Sequence, residues 1–183
     1  MSEGAPVDGI SKGPGNPRAP LIVTAELPAD VLAWADGLRR QHFPPERNQL
    51  RAHVTLFHAL PHFVEAELSE ALAKLAREGP PPARIDHLLK LGGGTALAIE
   101  CPRMVELHCD IAERMHGLLT QQDQQRPRLH ITIQNKVTPA TARALQAELA
   151  PQLHPVAFRF HGFGLYAYEG GPWRPIRVFP FRR

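Results

Sequence analysis

Two short segments of this chain share one pattern, and that pattern restricts what each can become. His53-Val54-Thr55-Leu56 and His130-Ile131-Thr132-Ile133 both read His-x-Thr-aliphatic inside an apolar run. Along a β-strand, successive side chains point to opposite faces. Val54 and Leu56 then enter a core while His53 and Thr55 face the other way, and the second segment divides likewise. Two such strands brought together surround one cleft with two imidazoles and two hydroxyls. That set suits acid/base chemistry on a phosphate ester without a metal. Ten histidines and seven threonines in 183 residues give roughly 0.4 His-x-Thr triplets by chance, and under about 0.1 once hydrophobic flanks are required. One copy would be ordinary; two are a signal.

The flanking segments repeat an outline. Leu21 to Leu27 is a β-branched run ended by Pro28, and Ala29 to Gln41 carries an apolar stripe at Val31, Leu32, Ala35 and Leu38. The first motif strand, 52 to 57, is followed by helical spacing over Glu65 to Glu78, with Gly79 as a stop. Arg84 to Leu91 and Thr95 to Cys101 flank Gly92-Gly93-Gly94 as a hairpin. Met104 to about Gln122 is expected as the longest helix, and 128 to 135 as the second motif strand. Thr138-Pro139 opens a helix to about Ala150. His154 to Tyr168 and Trp173 to Phe181 close the chain as two strands. The motifs lie 77 residues apart, so one approximate duplication is expected. It predicts an α+β protein of two pseudo-symmetric lobes of antiparallel sheet, helices outside and a cleft between them. His53 and His130 are expected on neighbouring central strands.

Length suits one compact bilobal domain, placed at 21–183 after a disordered Gly- and Pro-rich leader at 1–20. No apolar stretch approaches a membrane span, and the leader lacks a signal-peptide core. Cys101 and Cys109 form no disulfide framework and fit no zinc template, so a cytoplasmic location is the default. A net charge of +3 gives mild attraction to a polyanion without a dedicated nucleic-acid stripe.

With both motifs, the Glu26-Leu27-Pro28 turn and the closing segment Leu165-Tyr166 to Phe181, the chain resembles the 2H phosphoesterase superfamily, in particular the bacterial 2′-5′ RNA ligase or RNA 2′,3′-cyclic phosphodiesterase branch. The segment Gln134-Asn135-Lys136 looks like a subgroup variant. The resemblance implies that His53 and His130 are the acid and base, and that Thr55 and Thr132 bind phosphate oxygens. It implies hydrolysis of 2′,3′-cyclic phosphates on RNA ends or small nucleotides, with 2′-5′ ligation as the reverse reaction. No cofactor and no metal are expected. The expected partner is RNA with a cyclic-phosphate end or a cyclic nucleotide, met by a monomer away from any membrane.

Arg128, Arg126, Arg51 and Lys136 flank the motifs and can draw in a phosphate, although solvated cations at strand ends look the same. Tyr166, Tyr168, Phe163 and Trp173 offer a stacking face to a base, with core packing expected for at least two of them. His58 and His62 lack a third metal ligand at any recognised spacing, and His108 and His116 read as helix-surface or interface residues. Two other readings stand beside the first. One is the same chemistry on a non-RNA cyclic phosphate such as an ADP-ribose derivative. The other is a non-catalytic module binding a phosphorylated nucleotide or RNA end.

Overall fold

The structure, a computed structural model, describes residues 15–182. The expected leader lies outside the described residues as far as 14. Of its remainder, Ala19 is buried, and the amide of Tyr168 donates to the carbonyl of Pro20 at 2.9 Å.

Eight strands form two antiparallel sheets. The first has β2 (Val54–Leu60) at one edge, then β1 (Leu21–Glu26), β7 (Gly162–Ala167) and β8 (Arg174–Pro180). The second has β5 (His130–Gln134) at one edge, then β4 (Thr95–Glu100), β3 (Pro82–Lys90) and β6 (Val156–Arg159). The two lobes correspond, with β1 and β2 of one matching β4 and β5 of the other. Helix α1 (Ala29–His42) joins the first pair and α3 (Pro102–Arg114) joins the second. α2 (Glu65–Leu75) and α4 (Pro139–Leu149) follow the motif strands. One core runs through both lobes, joining Val23, Val54 and Phe163 of the first sheet to Leu97, Ile131 and Ile85 of the second.

The motif strands are not neighbours in one sheet. Each is the edge of its own sheet, and β2 meets β5 where the lobes face one another. Alternation predicts which face a histidine occupies, but not which strand pairs with which, because pairing is decided by the whole lobe. The closing segment differs too. The single strand expected over 154–168 is two strands in different sheets, broken at Phe160-His161. There the amide of Phe160 donates to Pro81 and that of His161 to Glu26, at 3.1 and 2.8 Å. Phe160 is fully buried at the crossover.

Helix α3 stops at Arg114 rather than near Gln122, so α1 is the longer helix. Gly117 has φ 83°, the left-handed conformation in which a glycine ends a helix. Met115 is still buried, so the apolar stripe continues into a turn that periodicity alone reads as helix. Elsewhere the local signals hold. Thr138 caps α4 by accepting from Thr141 N at 3.2 Å. Asp30 in the first turn of α1 and Arg39, Arg40 and His42 in its last complement the helix dipole. Among the described residues no helix is long and apolar enough to cross a membrane.

Each motif-bearing edge, β2 and β5, is met by a charged side chain from the opposite lobe. Arg39 of α1 donates from Nη1 to the carbonyl of Thr132 on β5 at 2.7 Å. Asp123, in the turn region after α3, accepts from the amides of His58 and Ala59 on β2 at 2.9 and 3.2 Å. A guanidinium therefore satisfies a carbonyl on one edge and a carboxylate satisfies amides on the other, and both cross the cleft. Burial raises the Asp123 pKa, but the His58 imidazole and the two amides outweigh it and hold the carboxyl below its ordinary value. A carboxyl lowered on folding contributes stability above the ordinary carboxylate range, and that stability is lost as pH falls through the lowered value. Acid unfolding of Asp123→Asn is therefore expected to depend less on pH below about 4 than that of wild type. Parallel acid-unfolding curves for the two proteins would contradict this.

Candidate active site

His53 immediately precedes β2 and His130 opens β5. Both imidazoles are anchored in the same way. His53 Nδ1 lies 2.7 Å from the carbonyl of Arg51, and His130 Nδ1 lies 2.5 Å from that of Arg128. A carbonyl only accepts, so each Nδ1 carries the proton and each neutral ring keeps Nε2 as its acceptor. Neither Nε2 is hydrogen-bonded among the described residues. The matched i−2 contact fixes tautomer and ring orientation at both positions.

The environments differ. His53 lies under Trp173, with ring centroids 4.6 Å apart. Burial lowers its pKa to about 4, against the Arg51 carbonyl, which favours the charged form, and with the positive charges of Arg39, His130 and His58 adding to the depression. At neutral pH His53 is therefore unprotonated.

Thr55 and Thr132 are partly exposed two residues beyond their histidines, as alternation requires, while Val54, Leu56, Ile131 and Ile133 are buried. Thr55 pairs across the sheet with Thr24, and Thr132 with Ala96. Helix α1 touches both motifs. Asp36 accepts from the amide of Ala52 at 2.5 Å and from Arg51 Nε at 3.0 Å, holding the chain just before His53. Arg39, one turn on, binds Thr132 as above and Asn48 Oδ1 at 3.1 Å. Asp36 and Arg39 were invisible to motif reading because each makes its contacts far away in sequence.

The other candidates separate. Arg128 and Arg126 are exposed just ahead of His130. Arg51 is exposed but tied to Asp36. Lys136 is exposed in the turn past the far end of β5 from His130, with φ 61°. Tyr166 and Trp173 line a cavity next to His53, with centroids 5.8 Å apart. Phe163 is buried against Phe181, and Tyr168 is exposed beyond the end of β7.

His108 departs from expectation, and His58 makes a contact that the sequence did not show. His108 is not on a surface: it is buried and stacked flat on Phe57 at 4.3 Å, and burial lowers its pKa. His58 donates from Nδ1 to Asp123 at 2.8 Å, leaving Nε2 near Gln122. Register shifts in the β1–β2 pairing around Phe57 bury that ring and turn His58 outward. Asp86, His87 and Glu100 have ligand atoms within 4.8 Å of one another on β3 and β4. Asp86 is already engaged by His87 at 2.7 Å and Arg84 at 3.1 Å, so the group is explained as an exposed ion-pair cluster.

Two opposed sheets, each with a His-x-Thr segment at its inner edge and both imidazoles anchored through Nδ1, define a two-histidine phosphoesterase fold. The profile of the 2′-5′ RNA ligase superfamily matches residues 27–172, and the chain belongs to that family. The fold is similar to that of E. coli LigT complexed with 3′-AMP, at 22% identity, TM-score 0.59, covering 91% of this chain and 99% of that one. It is similar also to the protein TT0787 of Thermus thermophilus, at 19% identity, TM-score 0.63, covering 89% and 98%. E. coli LigT complexed with NADP+ matches at 21% identity, TM-score 0.58, covering 91% and 99%. No curated protein matches the chain.

Proposed function

We propose that this protein is a metal-independent phosphodiesterase that opens 2′,3′-cyclic phosphates on RNA ends or small nucleotides. The observation that carries the reading is the matched pair of imidazoles, each with Nδ1 committed to a backbone carbonyl and Nε2 free. His53, held neutral, is the base. Its Nε2 takes a proton from water as the water oxygen bonds to phosphorus. His130 in its imidazolium form is the acid, giving its Nε2 proton to the ribose oxygen as the P–O bond breaks. Thr55 and Thr132 donate hydroxyl hydrogen bonds to the non-bridging oxygens, where charge is held in the transition state. Arg126 and Arg128 draw the anion toward His130. The product is a phosphomonoester, and proton exchange with water resets both rings. With a 5′-hydroxyl in place of water, the same groups join its oxygen to phosphorus as the P–O bond to one ribose oxygen breaks, and excess water favours hydrolysis. The reading places the protein in the cytoplasm, acting as a monomer on nucleotides or RNA ends.

A panel of 2′,3′-cyclic mononucleotides and cyclic-phosphate-ended oligonucleotides tests this, with and without chelator. Turnover is expected and should survive exhaustive chelation, because protons and hydroxyls supply the catalysis. Binding of the panel without turnover would make the chain a binding module. Loss of activity on chelation with rescue by a divalent cation would remove the two-histidine mechanism.

The pH profile carries the acid and base assignment. With the His53 pKa near 4, kcat/KM should rise through about pH 4, well below the ordinary histidine range, and fall in alkali as the acid loses its proton. The apparent values belong to the coupled pair. A bound phosphate favours imidazolium, so the acid limb of kcat should lie above that of kcat/KM. An acid limb at about 6.5 in kcat/KM would reject His53 as the depressed base. Thr55→Ala and Thr132→Ala should each cost on the order of 10- to 100-fold in kcat, since a neutral hydroxyl is a weaker stabiliser than a charged donor. Unchanged kcat in both would remove them from phosphate binding.

A further inference from the structure

The cavity beside His53 encloses about 280 Å³, at the small end of ligand pockets and suited to one flat ring system. Its lining is largely apolar, including Leu27, Leu32, Pro172, Trp173 and Pro175, with Gln49 and Arg51 also at its wall. Trp173 reaches from the His53 ring to the Tyr166 ring, so an inserted heterocycle finds an aromatic face within reach of the imidazole.

The cavity also has a polar end. Glu26 Oε1 accepts from Thr24 Oγ1 at 2.5 Å and from the Tyr166 hydroxyl at 2.9 Å. Its Oε2 makes no hydrogen bond among the described residues. Three strand positions make this arrangement. Thr24 and Glu26 lie on one face of β1, and Gly164 of β7 is directly opposite Thr24. A Cβ at Gly164 would overlap Glu26 Oε1 and Thr24 Oγ1 and crowd Tyr166 Cε2, so the missing side chain is the space in which the three groups meet. Burial and the charge of Glu26 raise the Tyr166 pKa, which keeps its hydroxyl a donor to the carboxylate.

We infer that this cavity takes a nucleobase bearing an exocyclic amino group and that Glu26 selects it, an inference that rests on the cyclic-phosphodiesterase reading and narrows its substrate. A carboxylate accepts hydrogen bonds and donates none. The amino group of cytosine or adenine donates to Oε2, whereas uracil offers a carbonyl oxygen at the corresponding position. Uracil therefore sets acceptor against acceptor and leaves a partly buried carboxylate oxygen unpaired. Sites built on a polar contact discriminate strongly against an analogue that cannot make it, more so than sites built on shape.

The test compares kcat/KM for 2′,3′-cyclic CMP and 2′,3′-cyclic UMP, which differ at that position and hardly in size. Wild type should prefer the cytidine substrate by about 10- to 100-fold. Glu26→Gln, whose amide can turn its NH₂ toward the uracil carbonyl, should bring the two within about threefold. A wild-type ratio within about threefold overturns the inference, as does a preference that survives Glu26→Gln unchanged. The wild-type ratio alone decides if the variant does not fold. Should neither substrate turn over, the phosphodiesterase reading falls, and calorimetric titration with 3′-CMP and 3′-UMP then decides base selection. Tighter binding of 3′-CMP by about tenfold or more retains it, while equal affinity or no binding removes it.

Discussion

His53→Ala and His130→Ala are each expected to lower kcat on a 2′,3′-cyclic nucleotide by about 10²- to 10⁴-fold, the range that a single proton transfer contributes. The loss should fall on kcat more than on KM, because protons move only as the transition state forms. The double variant should lose less than the product of the two single losses, since neither ring does useful work without its partner. Folding should survive both changes. Each side chain hydrogen-bonds only to a carbonyl at a partly exposed position, and the buried residues of each motif are its aliphatic pair. Steady-state kinetics with circular dichroism of each variant reads both quantities. More than about a tenth of wild-type kcat remaining in either variant would remove that histidine from acid/base duty.

Arg39→Met should produce the largest loss of stability among single changes near the site. Arg39 is 3% exposed, and its guanidinium reaches both the Thr132 carbonyl and Asn48. Desolvation lowers its pKa while the neighbouring Asp36 acts to raise it. Methionine keeps most of the volume but leaves the two acceptors without a donor and Asp36 without that compensating charge. The expected cost is about 2–4 kcal/mol, or roughly 5–15 °C in Tm for a chain of this length. Arg39→Lys should recover only part of it, because an ammonium is a point charge and cannot fork between the two oxygens. Activity should fall with stability even in the folded fraction, since Thr132 and His130 lie on the strand that Arg39 holds. Thermal unfolding and kcat at a temperature where the variant is folded separate the two effects. A Tm within about 2 °C of wild type would show that the cross-lobe contact is not a structural tie.

Periodicity and local chemistry account for much of this molecule. The face on which each motif histidine lies follows from alternation, because strand geometry allows only two choices and the aliphatic neighbours occupy one of them. The starts of α1 and α4 follow from Pro28 and from Thr138-Pro139, whose conformational restriction and capping act within a turn. The doubling of the outline was legible for the same reason: each half repeats a local pattern. Gly117 was in plain view, yet Leu118 continued the apolar spacing of Ile111 and Met115 past it. Spacing alone could not say that the turn beyond the helix also packs inward.

What belongs to the tertiary structure is everything that depends on where a segment goes after it forms. The break at Phe160-His161 sends one apolar run into two sheets, a choice made by the space between the lobes and not by strand propensity. Edge placement of both motif strands, the closure of those edges by Arg39 and Asp123, and the joint hold of Asp36 and Arg39 on the two motifs are contacts between residues distant in sequence. So is the junction of Thr24, Glu26 and Tyr166 over Gly164, which depends on a register between β1 and β7 separated by 140 residues at its hydrogen bond. The amino-acid sequence by itself determined two imidazoles and two hydroxyls on the open faces of two strands, because that information is local. The character of His53 was decided by packing. Trp173 lies against its ring, and burial among neighbouring positive charges disfavours its protonated form.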